Sequence, residues 1–218
     1  MEVTVTLLKD KEKINEVVDI HMKSFSGFFL TFLGKGFLKQ LYKGFLEEKN
    51  SGLIVAFDED EKILGFLAYS SELSKFYKYL IKKHLLSFGW YAMLGFFRNP
   101  KIFFRLIRAF TYSGEAKREE KYIELSSIGV LPVSENLGIG SKLINYLKKL
   151  NFEGYQYIKL ETDAINNDIA NNFYIKNKFV LDHSYSTPEG RKMNEYRFYL
   201  EEKNESDLVS ESIWTNRR

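Results

Sequence analysis

The stretch LPVSENLGIGSKL (Leu131–Leu143), called the glycine junction below, links two segments of different character. Before it, YIELSSIGV has the composition of a β-strand, and after it, SKLINYLKKL has apolar residues at helical spacing. The first amides of a helix lack backbone partners, and the helix dipole favours an anion there. A helix entered through Gly138 and Gly140 therefore predicts a phosphate-binding loop, with a ligand-free tight turn as the alternative.

Two common phosphate-binding motifs differ from this junction in residue order. A dinucleotide-binding fold has G-x-G-x-x-G directly after its strand, whereas here Leu143 holds the third glycine position and Pro132 precedes the glycines. Glu161 stands at about the right distance downstream for a ribose contact, which is the one feature in favour of that fold. A nucleoside-triphosphate loop needs Gly-Lys-Ser/Thr, and this chain has Gly-Ser-Lys at 140–142. Residue order therefore argues against both motifs.

The composition is that of a globular protein and excludes several kinds of site. The 218 residues suffice for one domain with a sizeable core, or for a core domain with an insertion. The net charge of +3 is too small to indicate a nucleic-acid-binding protein. The absence of cysteine excludes disulfides, thiolate metal sites and a cysteine nucleophile. The N-terminal residues are charged and lack the apolar core of a signal peptide, so we expect a cytoplasmic protein.

The order of the predicted elements is that of a mixed α/β fold. A strand over 3–8 precedes a helix for which Asp10 is the predicted N-cap, and a second helix is predicted over 28–47. A hairpin follows, with GLIVAF and ILGFLAYS on either side of the acidic turn DEDEK. After the glycine junction we predict a helix over 141–150, a strand over 155–161, a helix over 169–177 and a closing pair of strands.

Residues 72–112 differ from the rest of the chain in composition. The segment is helical in pattern and rich in aromatic and basic residues, and Glu72 is its only acid. Three interpretations stay open: an extra helical layer with aromatic core residues, a surface that recognises an anionic or sugar-like amine, and a helix pair at a membrane surface. A transmembrane helix is not predicted, because the longest uncharged run, His84–Phe97, is well short of the roughly 20 residues required.

Two motifs are similar to signatures of the GNAT N-acetyltransferase family. Val130–Gly140, VLPVSENLGIG, resembles the family's acetyl-CoA loop, V-x-P followed by Q/R-x-x-G-x-G/A. Asn167, Ala170 and Tyr174, with Phe179 just after the helix, resemble its second signature, N-x-x-A-x-x-(apolar)-Y. Because both motifs occur in the family's order on a strand, a loop and a helix, together they are far more specific than either one alone.

The resemblance implies both a fold and a reaction. The fold is α/β (α+β), with a mixed, mostly antiparallel central sheet flanked by helices and a helical insertion at about 72–113 between the third and fourth strands. We expect a single domain over 1–200 and a polar tail over 201–218. The reaction is acetyl transfer from acetyl-CoA to an amine, without a metal ion. The residues expected to bind acetyl-CoA are Ile128, Gly129, Val130, Asn136, Leu137, Gly138, Ile139, Gly140, Ser141, Asn167 and Tyr174.

Tyr174 and Glu124 are the expected catalytic residues. A phenol with an ordinary pKa of about 10 stays protonated at neutral pH, so Tyr174, beside a core-facing Phe173, can donate to the departing CoA thiolate. Its alternative role is to pack the helix against the sheet. Glu124 is the expected base for the amine, directly or through a water, unless it is only a solvated or ion-paired strand residue. Without cysteine we expect direct transfer in a ternary complex. The imidazoles are expected to be structural or exposed: His21, His84 and His183.

One residue departs from the family pattern. Glu135 places a carboxylate where the family usually has a neutral or positive group, so it either faces solvent or weakens cofactor binding. Two functions therefore stay open. One is an N-acetyltransferase for a small-molecule amine, such as an amino sugar or another metabolite, and the other is a CoA-binding module without catalysis. A homodimer also stays open.

Overall fold

The computed structural model describes residues 2–25, 29–83, 120–188 and 190–200. Its strands are β1 (Thr4–Leu7), β2 (Ser51–Phe57), β3 (Ile63–Ser70), β4 (Tyr122–Val130), β5 (Tyr157–Asp163), β6 (Val180–Ser186) and β7 (Lys192–Tyr199). Its helices are α1 (Ile14–Ser24), α2 (Phe29–Phe32), α3 (Gly34–Glu47), α4 (73–83 as far as it is described), α5 (Ile139–Lys149) and α6 (Asp168–Lys176). A 3-10 turn at Pro132–Ser134 connects β4 to α5.

The described strands form one sheet in the order β1-β2-β3-β4-β5-β7-β6. Neighbouring strands are antiparallel except β4 and β5, which are parallel. The predicted fold, a mixed and mostly antiparallel sheet flanked by helices, is confirmed. The segment with aromatic and basic residues follows β3 and precedes β4, as expected, and of this segment residues 72–83, which contain α4, lie within the described residues.

Helices cover both faces of the sheet. Phe66 of β3 meets Tyr42 of α3 edge-on, with ring centroids 5.1 Å apart. A Cβ at the adjacent Gly65 would instead lie 3.0 Å from Ile139 of α5. Successive strand residues point to opposite faces, so α3 and α5 lie on opposite sides of the sheet. β2 and β3 are consequently buried on both faces, which explains their nearly continuous apolar sequences, and each large buried side chain contributes about 2 kcal/mol.

The strands β4 and β5 pair only at their first residues. Tyr122–Glu124 are in register with Tyr157–Lys159, and Leu125–Val130 have no partner on β5. On its other side β4 remains paired with β3, through a bulge that leaves Ser126 without an opposite residue. The two strands therefore diverge into a V, and the backbone of β4 borders that opening.

Some predicted elements differ from the structure. Asp10 is not the N-cap of α1, because the helix begins at Ile14 and the Asp10 carboxylate accepts a hydrogen bond from the Glu12 amide at 2.8 Å. The helix predicted over 28–47 is two helices, interrupted before Gly34, whose φ of 83° does not continue a right-handed helix. The predicted tail over 201–218 lies outside the described residues. Within the described part of the chain, no helix has the length and apolar character needed to cross a membrane.

Candidate active site

A cleft of about 350 Å³ lies at the V between β4 and β5. Its lining includes Glu124, Ser127 and Ile128 of β4, the end of β5, and Tyr174 of α6. Helices α1, α2 and α3 contribute apolar and aromatic side chains to the other wall. The structure thus brings the two expected catalytic residues to one cavity, although they are 50 positions apart in the chain.

The glycine junction enters α5 through left-handed backbone. Asn136 and Gly138 have φ values of 65° and 72°, and Gly138 is the N-cap of α5 without any side-chain cap. Lys142 is the first residue of the helix whose amide reaches back to Gly138, which leaves the amides of Ile139–Ser141 without an acceptor in the helix. These amides and the helix dipole make an anion-binding arrangement of the kind expected for a pyrophosphate.

Glycine is needed for different structural reasons at the three glycine positions that are expected to bind acetyl-CoA. A Cβ at Gly129 would lie 2.9 Å from the Phe66 ring, and one at Gly140 would lie 2.9 Å from the Phe173 ring. Both glycines therefore allow close internal packing. At Gly138 an added Cβ would meet nothing within 4 Å, so this position is set by its left-handed backbone and by open space in front of it. The arrangement at Gly138 fits the pyrophosphate of acetyl-CoA.

The other expected cofactor residues border the same region. Ile128, Gly129 and Val130 pair with β3 on one side only, and the Val130 carbonyl accepts a hydrogen bond from Ser24 at 2.8 Å. Asn167 is the N-cap of α6, and its side-chain amide donates to Thr162 Oγ1 at 2.7 Å, tying the helix to the end of β5. Leu137 is exposed in the junction. Of these residues Ile128 lines the cleft itself, and the others lie on β4, the junction and α6 outside its lining.

Tyr174 is 9% exposed and reaches the cleft from α6. Its ring is 6.0 Å from that of Tyr196 and 6.1 Å from that of Phe179. Within the described part of the chain its hydroxyl has no hydrogen-bond partner, and burial raises its pKa to about 12. Its neighbour Phe173 is half-buried and packs against the core beside Gly140, as expected, and Tyr174 is the more buried of the two. A protonated phenol therefore borders the cleft at neutral pH.

Glu124 belongs to a group of five charged residues, called the charged cluster below. Its carboxylate lies 3.4 Å from the Lys159 ammonium, which also lies 2.7 Å from Glu161 and 3.6 Å from Glu195. Arg197 completes the cluster by donating to Glu195 at 3.0 Å. Burial raises the pKa of Glu124 to about 7, although the Lys159 charge opposes the shift. Glu124 is therefore ion-paired and buried, and near neutral pH both its acid and its base forms are accessible.

A buried histidine forms part of the opposite wall. His21 Nδ1 and the Tyr42 hydroxyl are 2.6 Å apart, and the Tyr42 hydroxyl lies 3.5 Å from Ser127 Oγ. Burial lowers the pKa of His21 to about 4, so the imidazole is neutral at physiological pH. His21 was expected to be structural or exposed; it is buried, and it also lines the cleft, which the sequence did not indicate. His183 is exposed and hydrogen-bonded to Asp182, and His84 lies outside the described residues.

Three potential metal ligands approach one another on β6 and β7. Side-chain atoms of Asp182, His183 and Glu195 lie within 4.8 Å of one another. The Arg197 guanidinium lies 3.0 Å from Asp182 and 3.0 Å from Glu195. Because the guanidinium already forms ion pairs with both carboxylates, its charge disfavours a second cation between them.

Sequence reasoning missed the partners of Glu124. The local sequence assigns no role to Lys159 and associates Glu161 only with a ribose contact. The sequence does carry a signal, since β5 reads YIKLETD and its polar residues Lys159, Glu161 and Asp163 recur with period two. A strand with charged residues on one face in the middle of a sheet indicates a polar interior, but their partner on β4 depends on a register that the sequence does not specify.

The chain is similar to known proteins in sequence pattern and in fold. The model of the Acetyltransferase (GNAT) family matches residues 14–179. A GNAT-family protein from Desulfovibrio desulfuricans has a TM-score of 0.61 at 14% identity, covering 92% of this chain and 100% of its own. No curated protein sequence matches the chain.

Two further structures show the same fold with different named acceptors. A ribosomal-protein alanine N-acetyltransferase from Escherichia coli has a TM-score of 0.55 at 13% identity, covering 94% of this chain and 97% of its own. A variant of the spermidine N-acetyltransferase from Vibrio cholerae has a TM-score of 0.55 at 11% identity, covering 91% of this chain and 94% of its own. Identities this low support likeness of fold alone.

Proposed function

The chain belongs to the GNAT acetyltransferase family, and from this premise we propose that it transfers the acetyl group of acetyl-CoA to the amine of a small molecule. Transfer is direct, within a ternary complex, because the chain has no cysteine to carry the acetyl group as a thioester. The observation that carries the proposal is that Glu124 and Tyr174 line one cleft.

The two residues approach the V from opposite faces of the sheet. Glu124 is in register with Lys159 and shares its face. Tyr174 packs against Tyr196, which pairs with Leu160, the neighbour of Lys159 on the other face. A base and an acid on opposite sides of a reacting carbonyl suit acyl transfer. Glu124 takes a proton from the attacking amine, and Tyr174 gives one to the thiolate that leaves as the C–S bond breaks.

Binding of acetyl-CoA is proposed to use backbone more than side chains. The amides of Ile139–Ser141 would hold the pyrophosphate. The edge of β4 at Ile128–Val130, which has no strand partner there and whose Val130 carbonyl is bonded to Ser24, would hydrogen-bond the pantetheine arm through its remaining groups, as an added strand does. An amide of that edge would also stabilise the oxyanion that forms at the acetyl carbonyl. Asn167 and Leu137 would border the arm and the pyrophosphate respectively.

The acceptor is proposed to enter beside the wall formed by α1, α2 and α3. Phe25 and Leu30 on this wall are partly exposed, whereas Leu41 is buried behind them. Across the cleft the charge of Asp163 is neutralised by Arg191, with N–O distances of 2.7 Å to both carboxylate oxygens. An amino sugar or another small metabolite is compatible with this mixture of apolar and paired polar groups. The alanine and spermidine named for the two neighbours differ too much to select one class.

Turnover of a panel of amines tests the proposal. The full chain is incubated with acetyl-CoA and amino sugars, polyamines, amino acids or short peptides, and free CoA thiol is measured. We expect at least one amine to release thiol well above the rate of hydrolysis, with Glu124→Gln lowering turnover by about 10²-fold. Binding of acetyl-CoA without thiol release for any amine would support the non-catalytic CoA-binding module instead. Absence of CoA binding would contradict both functions.

A further inference from the structure

Lys159, in the charged cluster, has no role in the proposed reaction as described above. Glu124 and Lys159 form the last paired position before β4 and β5 separate. Side chains at paired positions of neighbouring strands lie on the same face, so the register itself places the ammonium beside the carboxylate. The residue at this position is a lysine that is only 7% exposed, although lysine is seldom buried.

The Lys159 ammonium is held from two further sides. Glu161 accepts its hydrogen bond at 2.7 Å and is itself fixed by the Tyr185 hydroxyl, which donates to its other oxygen at 2.6 Å. On β7, Glu195 lies 3.6 Å from the ammonium and is fixed by Arg197. Because both carboxylates have second partners, the ammonium has a defined position, 3.4 Å from Glu124.

From these contacts we propose that Lys159 is a positioning residue, whose fixed ammonium group orients Glu124 and favours its ionised form, which accepts the proton of the acceptor amine. The inference rests on the proposed function of Glu124 as the base. Lys159 itself touches neither the amine nor the acetyl group and acts only through Glu124.

The charges around Glu124 explain why a cation is needed there. Burial, Glu161 and Glu195 all raise the pKa of Glu124, and Lys159 is the group that lowers it. Burial alone would lower the pKa of Lys159 itself, but the three carboxylates outweigh it and hold that pKa above its ordinary value. The other titratable or charged groups that face this region are Arg197 of β7, Tyr77 of α4, Tyr185 of β6 and Tyr122 of β4.

The phenols near the cluster do not replace the ammonium. Burial raises the pKa of Tyr77, and the neighbouring carboxylates Glu124 and Glu161 raise it further, so this phenol stays neutral. The same holds for Tyr185, whose pKa is raised by burial and by its hydrogen bond to Glu161. Arg197 is engaged by Glu195 and Asp182. Without Lys159 the Glu124 carboxyl would therefore bind a proton at neutral pH and lose its ability to act as a base.

Two substitutions should move the pH dependence in opposite directions. Lys159→Met removes the cation and should shift the ascending limb of kcat/KM for the amine upward by about one pH unit or more, since an opposite charge within 4–6 Å shifts a carboxyl pKa by roughly 1–3 units. Glu161→Gln removes a like charge and frees the ammonium for Glu124, so the limb should move downward. Ionisation of the amine is common to all variants, and only differences between profiles count.

The experiment compares the wild-type chain with both variants at saturating acetyl-CoA, with the same amine, and records each melting temperature. Lys159→Arg, which keeps the charge, should restore most of the wild-type profile. Infrared difference spectra of the protonated carboxyl, referenced to Glu124→Gln, follow the same titration without turnover. Opposite shifts of the two variants support the inference, whereas lower melting temperatures with unmoved titrations would overturn it.

The variants remain informative if Lys159→Met does not fold. Glu161→Gln then decides the outcome: a downward shift of the Glu124 titration supports the inference and an unmoved titration overturns it. The failure of the proposed function has a different signature. If Glu124→Gln turns over amines at the wild-type rate, Glu124 is not the base, and the positioning role falls with it.

Discussion

The glycine junction and the charged cluster handle charge in opposite ways. The junction offers backbone amides and a helix dipole around Gly138, where an added side chain would meet nothing within 4 Å. The charged cluster offers side chains that form ion pairs with one another, with the buried Lys159 between three carboxylates. An anionic ligand can therefore bind at the junction without any titrating group, whereas chemistry at the cluster depends on the protonation of Glu124.

The largest expected effect is at the junction. Gly138→Val places a β-branched residue at a φ of 72°, which such residues rarely adopt, so the loop must turn its amides away from the pyrophosphate. We expect CoA affinity to fall by about 100-fold or more, since two lost hydrogen bonds to a charged group cost roughly 3 kcal/mol. Isothermal titration with CoA measures the effect.

A second glycine provides the matched control. Gly154 has a φ of 76°, and an added Cβ there would also meet nothing within 4 Å, but it lies in the turn before β5. Gly154→Val should therefore cost similar backbone strain and leave CoA affinity unchanged. Equal affinities in folded Gly138→Val and wild-type protein would falsify the phosphate site at the junction.

The next effect concerns the acid on the opposite side of the V. Tyr174→Phe keeps the ring and removes a hydroxyl without a hydrogen-bond partner among the described residues, so CoA affinity and melting temperature should change little. Turnover should fall by about 10²-fold, because the thiolate loses its proton donor. Steady-state rates at saturating acetyl-CoA test this.

The control for Tyr174 is its ring neighbour Tyr196. The Tyr196 hydroxyl donates to Asn171 at 2.9 Å, so Tyr196→Phe should lower the melting temperature and leave turnover near the wild-type value. The reverse result, with normal turnover in Tyr174→Phe, would assign Tyr174 to packing and leave the thiolate to another donor or to water.

Acid should lower the stability of the chain through the buried histidine of the opposite cleft wall, outside both regions. The pKa of His21 in the folded chain is about 4, below its ordinary value of about 6.5. As the pH falls below 6.5 the unfolded chain therefore binds a proton first, and the free energy of unfolding decreases until the folded histidine also titrates near pH 4. The loss should amount to about 2–3 kcal/mol, and none of it should appear above pH 7.

Urea unfolding of the wild type and of His21→Gln between pH 7 and 4 measures how much His21 contributes to the pH dependence of the free energy of unfolding. The variant should be less stable at pH 7 because Tyr42 loses its 2.6 Å contact, but its stability should fall less steeply with acid. Parallel slopes for the two proteins would mean that His21 is accessible to protons in the folded chain, and the buried wall of the cleft would then need revision.

The junction could be predicted from the sequence, and most of the cluster could not. Val130–Gly140 is contiguous, so its proline and glycines indicate the loop wherever the rest of the chain goes. Lys159 and Glu195 meet Glu124 only through the pairing of three strands, and the parallel register of β4 and β5 leaves no local mark. The predicted Asp10 cap was wrong for a local reason, since an aspartate before a helix can also accept a hydrogen bond from an amide two residues on.

The smallest effect tests whether a side chain modifies the backbone site. The Glu135 side chain is exposed and has no hydrogen bond or ion pair with the described residues. If its carboxylate faces the pyrophosphate, Glu135→Gln removes a like charge screened by water, which should tighten CoA binding by about twofold to threefold at low salt. The gain should vanish near 1 M salt, where the Debye length is roughly 3 Å.

Glu153→Gln makes the same change of charge at an exposed site beyond α5 and should leave affinity unaltered. Equal gains in both variants would reflect net charge alone, whereas no gain in either would mean that the Glu135 side chain points away and the junction binds through its amides alone.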